Sequence, residues 1–244
     1  MIEIDRLQKS FGKVRALKGI TFQVPDGQIT GLLGPNGAGK TTCLRILYTI
    51  LRPDSGSARV DGHDSVADPE GVKRAIGALP ADSRGLYPRL TSRENIRYYG
   101  RLHGLHGAAL EGYIDELARL LDMGEIIDRR TVGFSTGQQL KVAIARALVH
   151  QPKTVLLDEP TTGLDVMSTR AMRTFVRRLR DEGKCVLFSS HIMQEVAALC
   201  ERVVVVTQGQ VVAEGTPQEL RESTGEQDLE DAFVSAIGSA EGLG

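Results

Sequence analysis

Gly34-Pro-Asn-Gly-Ala-Gly39-Lys40-Thr41 sets glycines, a lysine and a hydroxyl at the spacing G-x-x-x-x-G-K-[ST]. Glycines let the backbone curl until successive N–H groups point inward at phosphate oxygens, and a following helix adds its partial positive charge. Asn36, Gly37 and Thr42 complete this cradle, Lys40 reaches for the β- and γ-phosphates, and Thr41 offers its hydroxyl to Mg²⁺. Far along the chain, Thr154-Val-Leu-Leu-Asp158-Glu159 ends an apolar run on two carboxylates. A buried carboxylate is costly unless it meets a cation, and magnesium held by Thr41 and the phosphates is the cation that suits Asp158. Glu159 is then expected to orient or deprotonate the attacking water, so the chemistry is phosphoryl transfer to water. A second polar turn, Gly133-Phe-Ser-Thr-Gly-Gln138, also runs into a helix and looks built for an anion.

These residues need strands that end where the loops begin. Ile2-Glu-Ile4, Ile20 to Val24 and Gln28 to Leu33 read as strands, with Pro25-Asp-Gly27 as a turn. A helix follows Gly34, carrying Cys43, Leu44, Leu47 and Leu51 and stopped by Pro53. From about 83 to 133 the chain predicts an all-helical insertion. Thr91-Ser-Arg-Glu94 is a capping box that opens one helix, and Leu110, Ile114, Leu117 and Leu121 mark an amphipathic second one. Beyond it come helix 138–150, strand 154–158, helix 167–182, strand 184–189, helix 193–200 and strand 203–206. That alternation implies parallel strands joined by crossover helices. Gln208-Gly-Gln210 reads as a hairpin turn, and a tail from 225 to 244 is expected to carry a short helix around Leu229, Ala232, Phe233 and Ile237.

Composition narrows the partners. Over 244 residues, 30 Lys and Arg stand against 31 Asp and Glu, with no Trp. Neither a basic face nor an aromatic stacking platform is on offer, so no nucleic acid is expected as a partner. Cys43, Cys185 and Cys200 have no metal-ligand spacing and read as small buried hydrophobes, which fits a cytoplasmic protein. The N-terminal stretch carries charges where a signal peptide needs an apolar run, and apolar stretches such as 202–207 are too short to span a bilayer.

Taken together these motifs resemble the ATP-binding cassette (ABC) ATPases, the nucleotide-binding subunits of ABC transporters. Phe134-Ser-Thr-Gly-Gln138 stands where that family has its LSGGQ signature, Gly163-Leu-Asp165 where it has the D-loop, and His191 in SSHIMQEV where it has its switch histidine. Phe11 matches the aromatic that stacks on adenine. The implied fold is α/β: a P-loop NTPase with a RecA-like parallel core, an N-terminal antiparallel β subdomain and the helical insertion, the ATPase domain running from 1 to 224. The implied cofactors are ATP and Mg²⁺. The resemblance also explains the second turn: in such cassettes it faces the γ-phosphate of a nucleotide held by a second copy. Ser135, Gly137 and Gln138 are therefore expected to act across a head-to-tail dimer, with Asp165 beside them and His191 contacting the γ-phosphate.

Two residues depart from the family pattern. Thr136 replaces the first glycine of the signature, which tightens the backbone approach. The Q-loop glutamine is absent: segment 76–87 offers Ala81 counted from the left and Asp82 counted from the right, and Asp82 is the candidate substitute at the metal. With one phosphate loop and a short insertion, the chain is expected to be a stand-alone subunit, peripheral on the cytoplasmic face of the membrane, with a separate integral-membrane permease as partner. Tyr87, Leu90 and Tyr98 are the candidate contacts for that permease. Segment 77–95, the signature and the tail look like exporter ATPases that pair with ABC-2-type permeases, nearest the sodium-efflux (NatA-like) group, with drug exporters as the main competitor. A P-loop kinase and a non-transport regulatory cassette stand as alternatives; a kinase has no use for FSTGQ.

Overall fold

The computed structural model describes residues 1–81 and 85–241, and side chains to 238. Strands β1 (Ile2–Phe11) and β2 (Val14–Val24) form a hairpin, and β3 (Ile29–Leu33) leads into helix α1 (Lys40–Leu47). Next come β4 (Ser55–Val60), β5 (His63–Asp64), α2 (Pro69–Ala75) and β6 (Ile76–Leu79). The inserted lobe contains α3 (Ser92–Leu102) and α4 (Gly107–Leu120), after which α5 (Thr136–Leu148) returns to the core. The chain then alternates through β7 (Thr154–Asp158), α6 (Val166–Asp181), β8 (Cys185–Ser190), α7 (Met193–Leu199), β9 (Arg202–Thr207) and β10 (Gln210–Gly215). Helices α8 (Pro217–Thr224) and α9 (Leu229–Glu241) close it.

Two sheets result. One is antiparallel, in the order β2-β1-β4-β5; the other runs β10-β9-β3-β8-β7-β6, parallel except for β10. Every residue of β3, β7 and β8 is buried, as a sheet covered on both faces requires. Their side chains divide by strand alternation. Leu32, Leu156, Leu187 and Val204 pack with α1 and the antiparallel sheet, whereas Leu33, Val155, Val186 and Phe188 pack with the helical side.

The inserted lobe is anchored as its sequence predicts: Thr91 Oγ1 accepts from Glu94 N at 3.1 Å, while Glu94 Oε2 accepts from Thr91 N at 2.8 Å. Ile96, Leu110, Ile114 and Leu117 face inward and join the core that contains Leu140 and Ile144 of α5. The α/β class and its two subdomains therefore agree with expectation.

The structure differs in the first eighty residues. The expected strands 2–4 and 20–24 are the ends of a longer hairpin, turning at Gly12 and Lys13. Its outer half places Gln8, Lys9, Arg15 and Lys18 among few apolar residues, so alternation is weak, and register shifts at Leu7 and Lys9 break the period. Helix α1 stops at Leu47 rather than Leu51, and β4, β5, α2 and β6 are additional elements, as is α8 far along the chain. Asp68 opens α2 by accepting from Gly71 N at 2.9 Å.

Candidate functional site

Register brings the phosphate loop and the acidic pair to one edge. Leu33 of β3 lies opposite Ser190 of β8, and Asp158 of β7 opposite Ser189. Three neighbouring parallel strands therefore end together, the place where open α/β sheets bind ligands. From β3 the chain enters the loop 34–39, from β7 it passes Glu159, and from β8 it reaches His191.

The loop is held open by close backbone approach. Gly39, the residue before α1, has φ 111°, and a Cβ there would lie 2.7 Å from Ala16 O of β2. Lys40 is 5% exposed; its Nζ donates to Gly34 O at 2.6 Å and Pro35 O at 3.3 Å, and stands 3.7 Å from Glu159 Oε1. Burial pulls its pKa down, while Glu159 and Asp158 pull the other way. The ammonium is thus docked on loop carbonyls that water does not fully replace, and a phosphate arriving there gives it a better acceptor.

Asp158 is 2% exposed, and burial pushes its pKa up. Ser189 Oγ donates to Asp158 Oδ1 at 2.6 Å, and Ser189 and the Thr41 hydroxyl work against that rise. A hydroxyl and a buried carboxylate that lacks a full charge partner are hard oxygen donors, the set a Mg²⁺ ion takes when phosphates and waters supply the rest. Among the described residues no cluster of three or more His, Cys, Asp or Glu forms a separate metal cage.

Glu159 sits at φ 47°, in the left-handed region a glutamate rarely adopts. Its N–H is held by Ser189 O at 3.2 Å and Ser189 Oγ at 3.1 Å, and Thr162 Oγ1 donates to its Oε2 at 3.3 Å. The same Oε2 is 3.2 Å from His191 Nδ1. Lys40, Thr41, Asp158, Glu159 and His191 are therefore brought together as one cluster, and the loop residues Gly34, Asn36, Gly37 and Thr42 frame it.

Ser135, Gly137, Gln138 and Asp165 are not joined to that cluster by any hydrogen bond or ion pair among the described residues. Ser135 caps α5: its Oγ accepts from Gln138 N at 3.3 Å, and Gln138 Oε1 accepts from Ser135 N at 3.1 Å. Asp165 caps α6 through Ser168, whose backbone N–H holds the carboxyl below its usual pKa. A Cβ on Gly137 would lie 2.9 Å from Ser168 Oγ, so the two caps sit side by side. Ser135 and Thr136 are exposed. Phe11 is 50% exposed at the tip of the β1–β2 hairpin, whose Ala16 abuts Gly39, so a planar base lying on the phosphate loop has a ring within the same hairpin. Asp82 lies outside the described residues.

A second concavity, of about 640 Å³, separates the inserted lobe from the core; Ile50, Tyr99, Leu102, His103, Arg146 and His150 are among its walls. Arg146 is buried on α5, stacks over Tyr99 at 4.4 Å and donates to Gly85 O at 2.9 Å, tying the 80s segment to the signature helix. Tyr87 and Tyr98 meet edge to face at 5.3 Å and remain 46% and 42% exposed, whereas Leu90 is half-buried.

Sequence reasoning missed Ser189, Thr161 and Glu195. Two serines closing the buried run CVLFSS, and a glutamate four residues before Leu199 on the inward face of α7, were the available signals.

Residues 17–162 match the sequence profile described as ABC transporter. The chain is 44% identical over 232 residues to the ABC transporter ATP-binding protein NatA of Bacillus subtilis, covering 95% of this chain and 94% of that one. It is 39% identical to the daunorubicin/doxorubicin resistance ATP-binding protein DrrA of Streptomyces peucetius, covering 98% of this chain and 72% of that one. Among solved structures, an ATP-binding subunit of an ABC transporter matches with a TM-score of 0.88 at 27% identity, covering 97% and 99% of the two chains. The dimeric post-hydrolysis cassette MJ0796, bound to ADP and Pi, matches with a TM-score of 0.79 at 25% identity, covering 88% and 98%. The chain belongs to the ABC transporter family, as its ATP-binding and ATP-hydrolysing cassette.

Proposed function

We propose that this cassette works as a head-to-tail pair of identical chains and drives an ABC-2-type exporter, with sodium as the transported ion. The observation that carries the pairing is the separation of two anion-binding features in one chain. Lys40, Thr41, Asp158, Glu159 and His191 share one cluster, while the exposed Ser135 turn has no partner there. A second copy supplies what each cluster lacks, and the dimeric structure of the MJ0796 cassette with ADP and Pi supports a paired assembly.

Phe11 carries the base, and the loop 34–42 with Lys40 carries the phosphates. Thr41 and Asp158 fit Mg²⁺, which when bound offsets charge on the β- and γ-phosphates. Glu159 accepts the proton of the attacking water, and His191 holds Glu159 in line and donates to the γ-phosphate. Ser135 and Gly137 of the second copy close over that phosphate, aided by the N-terminus of α5. Charge-assisted contacts at about 1.5–3 kcal/mol each make the Lys40 site the source of affinity. A helix N-terminus adds only about 0.3–1 kcal/mol, so the second turn gates closure rather than capture.

No helix of the described residues is long and apolar enough to cross a membrane. In this reading the chain acts at the cytoplasmic face through a separate permease, which seats a cytoplasmic segment in the cleft beside Tyr87, Tyr98 and Leu102. The likeness to the sodium-efflux group and the near full-length match to NatA support sodium. The match to a drug-resistance protein favours drug export as the second reading. Co-expression with candidate permeases and ATP-dependent efflux of ²²Na⁺ against doxorubicin from inverted vesicles tests the proposal; doxorubicin transport without sodium transport overturns the substrate.

A further inference from the structure

Beside the Lys40–Glu159–His191 cluster in sequence and fold lies a second polar group, buried at Thr161 and Glu195. Glu195 of α7 is 3% exposed, and its Oε2 accepts a hydrogen bond from Thr161 Oγ1, itself on a residue 5% exposed. Arg173 of α6 brings Nη2 to 4.0 Å from Glu195 Oε1, and its Nε is buried with no acceptor. Three segments meet here. Thr161 belongs to the turn that begins at Glu159, where Thr162 N donates to Glu159 O and Leu164 N to Thr161 O. Arg173 belongs to the helix capped by Asp165, and Glu195 to the helix that follows His191.

A carboxylate this far from water is costly unless it is well paired, and one hydroxyl with a guanidinium at the limit of ion-pair range is sparse compensation. A methionine, of similar length and uncharged, would sit on the buried face of α7 at less cost to the fold. What the polar group does provide is a directional link between the two segments that must hold Glu159 and His191 3.2 Å apart. Glu159 needs such a link because its φ of 47° persists only if its surroundings over-determine it. Ser189 holds its N–H from one side; Thr161, two residues on, is the anchor from the other.

We infer that Thr161, Glu195 and Arg173 form a positioning node that fixes the switch helix to the turn of Glu159, so that His191 and Glu159 are aligned before the second copy closes. The inference rests on the reading of Glu159 and His191 as the groups at the reacting phosphate.

The test makes the buried pair of the node apolar and leaves Arg173, whose side chain is 32% exposed, to turn to water. In Thr161→Val/Glu195→Met the buried carboxylate and its donor are both removed, so Tm is retained or raised. The expected kcat for ATP falls about tenfold or more, with KM and ATP affinity within about twofold of the parent. Thr161→Ser and Glu195→Gln keep the hydroxyl and an oxygen acceptor, and are expected to restore kcat to within about threefold of the parent. A double variant that folds and hydrolyses ATP at the parental rate overturns the inference. So does a loss of kcat that only tracks a fall in Tm, or conservative variants as slow as the apolar pair. Glu159→Gln, measured alongside, keeps the two readings apart: its retention of full activity defeats the catalytic reading, whatever the node does.

Discussion

His191 Nδ1 lies 3.2 Å from Glu159 Oε2, and Glu159 Oε1 lies 3.7 Å from Lys40 Nζ, so one carboxylate bridges His191 and Lys40. Under the proposed function, a γ-phosphate arriving between them gives both a stronger acceptor and frees Glu159 for water.

Glu159→Gln keeps the shape of this bridge and removes the base. Hydrolysis is expected to fall at least a hundredfold while ATP still binds, and the variant should accumulate as an ATP-trapped dimer. Sedimentation velocity with saturating MgATP checks this; a variant that remains monomeric contradicts it.

Lys40→Met removes a buried ammonium that touches Gly34 O and Pro35 O. Losing one charge-assisted contact of about 1.5–3 kcal/mol weakens ATP binding roughly ten- to a hundredfold. Titration with a fluorescent ATP analogue measures this.

Ser135 has two separable duties, capping α5 and meeting a phosphate. Aspartate is as good an N-cap as serine, but its charge repels the triphosphate. Ser135→Asp should therefore melt within about 2 °C of the parent yet lose about tenfold or more of its ATPase, with monomer ATP affinity unchanged. Ser135→Ala should instead cost about 1 kcal/mol of stability.

His150 stacks on His103 at 3.7 Å and offers its Nε2 to Ile76 O at 2.9 Å. Burial, with smaller help from His103, pushes its pKa down to about 4, and burial lowers that of His103 as well. In the unfolded chain histidine titrates near ~6.5, so between the two values the unfolded state binds more protons. Stability is full above that range and declines as pH falls through it towards 4. Over the upper part of the window the loss is on the order of 2 kcal/mol, or a Tm about 5 °C lower at pH 5 than at pH 7.5. His150→Phe should flatten that slope in a pH series of melts.

The site was legible in the sequence wherever one element holds a whole motif. Gly34 to Thr42 combines a turn, a helix start and reactive residues, Thr154 to Glu159 a strand and the carboxylates at its end, and the capping box at Thr91 announced α3. What escaped depends on adjacency across elements. Ser189 matters because β8 places it beside Asp158, and Thr161 because α7 swings Glu195 against it; neither residue type is unusual by itself. The β1–β2 hairpin hid for another reason: its outer half alternates polar with polar, and periodicity has nothing to read there.

Mixing two inactive variants tests the division of each site between chains most directly. In a dimer of Lys40→Met with Ser135→Asp, one site combines the intact Lys40 of one copy with the intact Ser135 of the other. An equimolar mixture should recover up to about a quarter of parental ATPase, because half the dimers are mixed and each holds one whole site. A mixture no more active than its two components contradicts the account, since it means that Lys40 and Ser135 serve the nucleotide from the same chain.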